Sequence, residues 1–147
     1  MATTRDDPFQ SFNFLIDISE VTQAGFSECS GLTMETDPIE YRNGNEDSTV
    51  RKLPGLKKFG NITLKRGFTK DENIFKWRKT VLDGRTERHS GSITLRNEGH
   101  KDVMRWTFRE AWPRKLDGPT FNAKNNEVAI ETLEIVVEDL TVETVPG

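Results

Sequence analysis

The sequence is poor in the residues that usually carry chemistry. Cys29 is its one cysteine in 147 residues, so no disulfide can form within the chain, which fits a reducing compartment. His89 and His100 are the only histidines, and neither has a Cys, His or carboxylate at a familiar zinc spacing; both read as ordinary exposed polar residues. No Gly-rich phosphate loop and no nucleophile elbow is present. Cys29 lies in a strand-like stretch without a neighbouring base, so it reads as a small buried apolar residue rather than a nucleophile. No catalytic residue, metal site or cofactor is expected, and the chain does not read as an enzyme. Long apolar runs are missing too. None approaches the roughly 18 residues that suggest a membrane helix, and the polar start MATTRDDPFQ has neither the basic nor the apolar region of a signal peptide. The expectation is a soluble chain synthesised in the cytoplasm, with no membrane binding of its own.

What the chain does hold is enough for a core. At 33% hydrophobic and 31% charged residues it reads as one globular domain over 1–147. A formal net charge of −3 argues against indiscriminate binding to nucleic acid or anionic membrane.

Most apolar stretches alternate with period two, the pattern of strands with one face buried and one wet. In FNFLIDIS, Phe12, Phe14, Ile16 and Ile18 alternate with polar or outward residues. AGFSECSGLTMETDPIEY reads as two short strands about a turn at Ser30-Gly31; NITLKRGF and GSITLRN each read as one strand; VMRWTF sets Met104, Trp106 and Phe108 on one face. In NEVAIETLEIVVEDLTVE, Val128 and Ile130 have one parity and Leu133, Ile135 and Val137 the other, so a bulge or bend near Glu131 or Thr132 is expected. One helix is predicted over about 70–83. Thr69 with Glu72 has capping-box spacing, Ile74, Trp77 and Val81 repeat helically with Phe75 and Leu82 beside them, and Gly84 suits the C-terminal cap. The fold class expected is mainly β: an antiparallel β-barrel or sandwich with one packed helix and a long protruding loop over about 42–60.

That loop, within YRNGNEDSTVRKLPGLKKFG, carries no apolar pattern and is longer than the roughly 12–15 residues that structureless loops in compact domains usually reach. Asn43-Gly44 and Pro54-Gly55 are its turn signals. Charge is also unevenly placed. Arg51, Lys52, Lys57, Lys58, Lys65, Arg66 and Lys70 occupy 51–70 without an acidic residue, while Glu127, Glu131, Glu134, Glu138, Asp139 and Glu143 occupy 127–143 without a basic one. Both runs could simply solvate exposed faces. They could also be complementary, the positive patch of one subunit meeting the negative patch of the next head to tail.

Taken together, DPFQSFNFLIDI, AGFSECSGL, EYRNGNEDSTVRKLPGLKKFGNITLKRG, RWTFREAWPRKLDGP and NEVAIETLEIVVEDL resemble, in order and spacing, the tail-tube proteins of contractile phages and phage-tail-like contractile injection systems. The resemblance spans almost the whole chain. It implies a β-barrel-like subunit, six-membered rings stacked into a hollow tube inside a sheath, no catalysis, and a place in a virion tail or injection particle. The partners implied are further copies of the chain, the sheath protein, baseplate or spike proteins, tube-terminating proteins, and DNA or a protein effector as cargo in the lumen. The loop then becomes an assembly arm, with Arg42, Asn43, Glu46, Asp47, Arg51, Lys52, Lys57 and Lys58 as interface candidates. A second interface candidate is the C-terminal strand, through Glu134, Val136 and Glu138. Polar strand positions Thr63, Lys65, Thr94, Arg96, Arg105, Thr107 and Arg109 are candidates for the lumen wall. Two other readings stand beside it: a monomeric β-barrel module that binds an acidic ligand through the basic run, and a type VI secretion tube protein of the haemolysin-coregulated kind, similar in fold rather than motif.

Overall fold

The computed structural model describes residues 13–24, 26–42, 44, 50–124 and 128–145. Alternation of apolar and polar residues sets the first strands. β1 (Phe14–Ile18) turns Ile16 and Ile18 into the core, and β6 (Ile62–Gly67) does the same with Ile62, Leu64 and, less expectedly, Arg66. β1 pairs with short β2 (Thr22–Ala24) on one side and with β7 (His89–Arg96) on the other. β7 pairs with β8 (Asp102–Asp117), the longest strand among the described residues, which also pairs with the last two strands.

β8 changes face midway. Trp106 and Phe108 point inward on one parity, but Glu110 adopts a left-handed φ of 53°, and beyond it Ala111 and Pro113 are the buried residues. The last two strands, β9 (Ile130–Val136) and β10 (Asp139–Thr144), run antiparallel to β8 along its other edge, β9 against Trp112–Asp117 and β10 against Met104–Arg109. β9 also pairs with β6, and β6 with short β3 (Glu28–Ser30). The result is an eight-stranded antiparallel sheet folded about the bend shared by β8 and β9–β10, closing on Ile16, Ile62, Leu64, Phe108, Leu133 and Ile135.

The bend is not where alternation placed it. β6 and β9 pair without a register shift from Ile62↔Ile135 to Gly67↔Ile130, so no bulge lies at Glu131 or Thr132. Odd parity simply continues back to Glu131, which is buried opposite Arg66, while Val128 and Ile130 are left exposed. A charged pair took positions that an apolar count assigns to the outside. The interruption falls instead at Val137 and Glu138, where Glu138 N–H donates to Arg109 O at 3.1 Å, next to the Glu110 distortion.

The single helix among the described residues, α1 (Asn73–Leu82), packs on β8 and buries Ile74 and Trp77. Its N-terminus is not the expected capping box. Glu72 takes the N-cap position without a side-chain bond; Asp71 accepts the Asn73 N–H at 3.0 Å, and Thr69 accepts the Asp71 N–H at 3.3 Å. The C-terminus is as expected: Gly84 has φ 75°, and Arg85 N–H closes on Thr80 O at 2.8 Å.

The segment read as a loop over 42–60 is strand in its second half. β5 (Arg51–Phe59) pairs with β4 (Met34–Tyr41) as a separate two-stranded sheet. Pro54-Gly55 is therefore inside a strand rather than at a turn. Ser30 belongs to β3, and Gly31, at φ 89°, follows it, but the strands on either side do not form the expected pair: β3 joins β6, and β4 leaves with β5.

Candidate assembly surface

Among the described residues the β4–β5 hairpin has little support from the rest of the fold. No residue of either strand is fully buried, and among the described residues each strand pairs only with the other. Its base is fixed by Gly60 N–H donating to Thr33 O at 3.0 Å, with Met34 opposite Phe59, which packs against the edge of the core. Beyond the base, Ile39 faces Leu53 and Tyr41 faces Arg51 across the strands, so Ile39, Tyr41 and Leu53 share one face, each about half exposed. Leu56 is 75% exposed. A lone two-stranded ribbon is marginal in water. One with apolar residues on its surface is a strand pair in search of a third surface.

Charge divides the hairpin by strand. β4 carries Glu35, Asp37 and Glu40, and β5 carries Arg51, Lys52, Lys57 and Lys58. Glu35 lies opposite Lys58 and Glu40 opposite Lys52. Lys58 Nζ is 2.8 Å from Asp37 Oδ2, and the hydrogen bond to that carboxylate holds the ammonium above the usual lysine range. Arg42 is exposed at the end of β4. Asn43, Glu46 and Asp47 lie outside the described residues.

The C-terminal candidates meet partners within the chain. Glu134 pairs with Arg114, and Glu138 with Arg88 at 2.9 Å; Asp139 and Glu143 lie near Arg109 and Arg105. The acidic run is thus matched by arginines of β8 and of the segment before β7. Sequence order could not show this, because the pairing depends on which strands are neighbours. Val136 is half-buried opposite Trp112 rather than on a wholly wet face.

The lumen candidates fall into two groups. Thr94 faces Arg105, and Thr107 faces Ser92 on one side and Thr141 on the other. Asp102 joins Arg96 Nε at 3.2 Å to Arg105 Nη2 at 3.4 Å, and Arg105 Nε approaches Thr94 Oγ1 at 3.4 Å. Thr94 is buried by this arrangement. With Arg109 near Asp139, these form one ion-paired surface on β7, β8 and β10. Thr63 and Lys65 stand apart on β6, with Lys65 Nζ 3.7 Å from Glu28 Oε2.

One feature escaped the sequence reading. Phe75 and Leu82 sit on the outward side of α1, exposed, and with Phe68, Leu116 and Pro119 they line a cleft of about 1090 Å³ that also receives Arg78. The signal was present as a seven-residue spacing on a helix, but it was counted with the buried face. Among the described residues no cluster of three or more His, Cys, Asp or Glu side chains is placed to hold a metal ion.

Comparison with known proteins gives a consistent picture. The family model described as T4-like virus tail tube protein gp19 matches residues 10–141. A chain from the PVC extracellular contractile injection system, in its sheath–tube complex in the extended state, is 27% identical with a TM-score of 0.83, covering 94% of this chain and 93% of that one. A chain from the anti-feeding prophage cap, the tube terminating cap, is 27% identical with a TM-score of 0.86, covering 99% and 97%. Hcp1 from Flavobacterium johnsoniae, 15% identical with a TM-score of 0.57 over 91% and 98%, shares the fold. No match is found among curated protein sequences.

Proposed function

The chain belongs to the family of the T4-like virus tail tube protein gp19, and from that membership we propose that it builds the inner tube of a contractile tail or phage-tail-like injection particle. Six copies close into a ring, rings stack into a hollow tube, and DNA or a protein effector passes through the lumen. The likeness to chains of a sheath–tube complex and of a tube terminating cap supports a sheath around the tube and a terminator that ends it; a baseplate belongs to the same reading.

The observation that carries the reading is the hairpin. Ordering the polar and apolar residues of β4 and β5 costs conformational entropy, and the chain itself gives little in return, since neither strand is covered. Contacts with neighbouring copies offset that cost once the ring forms. The hairpin is then an assembly arm, with Arg42, Arg51, Lys52, Lys57 and Lys58 at its contacts.

Conduction asks for a wall that does not hold its cargo. The surface of β7, β8 and β10 suits this, because Arg96, Arg105 and Arg109 each have a carboxylate of the same chain nearby. Arginines already paired offer less net attraction to phosphate, whose binding rises steeply with each cation that it neutralises. Thr107 adds polar, uncharged surface, whereas Thr94, buried beneath Arg105, is removed from the wall. In this arrangement the protein supplies stiffness and a neutral path and performs no reaction.

Negative-stain microscopy of the purified protein tests the reading. Six-fold rings or hollow tubes are expected; a monomer at every concentration overturns it.

A further inference from the structure

We propose that the cleft beside α1 is the seat of the assembly arm of a second copy, with the Ile39, Tyr41 and Leu53 face of one hairpin lying against Phe75, Leu82 and Phe68 of the next subunit. The proposal rests on the tube reading and names the contact that reading leaves open.

Two unpartnered apolar features exist on the same chain. One is a convex ribbon, exposed on both faces and carrying Ile39, Tyr41 and Leu53 on one of them. The other is a concave groove whose walls include Phe75 at 58% and Leu82 at 67% exposure. Within one copy, α1 packs on β8, whereas β4 and β5 pack chiefly on each other. A contact between unlike patches of identical chains is head to tail, the type that generates rings and open stacks.

Size and charge favour this occupant. The cleft, about 1090 Å³, matches the upper end of the roughly 300–1,000 Å³ of small-molecule sites and has room for several side chains of a ribbon. Its polar residues are of both signs, Lys70 and Arg78 against Asp71 and Glu72. The ribbon offers the matching division, with carboxylates on β4 and cations on β5. Apolar contact in the middle with opposed charge at the edges gives both attraction and register. Arg78 adds a specific demand: its Nη1 is buried with no acceptor among the described residues. Such a donor is costly to leave unmet, and an incoming β4 carries carboxylate acceptors in Glu35 and Asp37.

The test uses the full chain with Cys29→Ser. Leu53→Cys and Phe75→Cys are made in separate proteins, assembled singly or mixed, and treated with a short bismaleimide. A covalent dimer from the mixture, and none from either alone, is expected. In parallel, Phe75→Asp with Leu82→Asp is expected to keep the wild-type melting temperature, since both positions are exposed, while tube yield falls at least tenfold. Normal tubes from that double variant, with no mixed cross-link, overturn the inference but leave the tube reading standing, and assign the cleft to a different protein on the tube. Wild-type protein that stays monomeric overturns the tube reading and this contact with it.

Discussion

Arg66 and Glu131 face each other across β6 and β9, joined from Nε to Oε1 at 2.5 Å, with side chains 7% and 9% exposed. Arg66 also reaches Asp71 through Nη1 at 3.3 Å and lies 5.6 Å from the centre of the Phe26 ring. One guanidinium therefore ties two strands to the segment that starts α1. Its Nη2 has no acceptor among the described residues, so the cluster is incompletely satisfied and its loss of water only partly offset.

That arrangement makes single and paired substitutions behave differently. Glu131→Ala leaves a buried cation without its main partner and is expected to destabilise the subunit by about 3–5 kcal/mol. Arg66→Met with Glu131→Leu removes both charges, and is expected to recover most of that loss or exceed the wild type. Urea unfolding of the three proteins measures it; equal losses in the single and double variants would refute the argument.

Asp71 adds a pH dependence. Its carboxyl lies below the ordinary aspartate value, first because it accepts the Asn73 N–H and then through Arg66. A carboxyl depressed in the folded state contributes stability that is present above its unfolded pKa, about 3.9, and lost as pH falls through the lower folded value. Thermal melts are expected to drop below about pH 4, and Asp71→Asn, which keeps an acceptor for Asn73, should flatten that part of the curve. An unchanged acid slope in the variant counts against Asp71.

Burial raises the pKa of the Cys29 thiol to about 11. Against a free cysteine near 8.5, the thiolate fraction at pH 8 falls by roughly two orders of magnitude. Iodoacetamide should modify the native protein about a hundredfold more slowly than the urea-unfolded chain; comparable rates would show the thiol to be accessible.

The arm can be removed at its base. Met34 and Phe59 are opposite neighbours, so replacing residues 35–58 by Asn-Gly leaves a two-residue hairpin connection. Shortening the connection lowers its closure cost by about 0.6 kcal/mol per halving. The shortened chain is expected to fold with a melting temperature near wild type and to form no tubes. Tubes of normal length would remove the arm from assembly.

Core truncation supplies the contrast. Ile135 is fully buried in β9, and Ile135→Ala is expected to cost about 2–5 kcal/mol, whereas Val136→Asp, half-buried opposite Trp112, costs about 1 kcal/mol and lowers ring formation. If Val136→Asp unfolds the subunit while the remaining folded protein still forms rings, the C-terminal strand is not at a subunit contact.

Elements that bury one face were legible in the sequence. Ile16 and Ile18, Ile62 and Leu64, Leu133 and Ile135 each print their inward parity directly, because a sheet with one wet side forces period two. The helix was legible in Ile74, Trp77 and Gly84 for the same kind of reason. The family was legible in the order of the motifs along the chain. The hairpin was not, since β5 buries neither face and so carries no alternation: Leu53 and Leu56 have unlike parity, and its Pro-Gly pair reads as a turn. Nor could the sequence place Glu131 inside, because a carboxylate becomes an inward residue only when Arg66 of a strand 65 positions away is set opposite it. Which acids answer which arginines, and which apolar residues are left facing outward beside α1, were decided by strand pairing and packing. Those relations join residues far apart in the chain, and no local pattern encodes them.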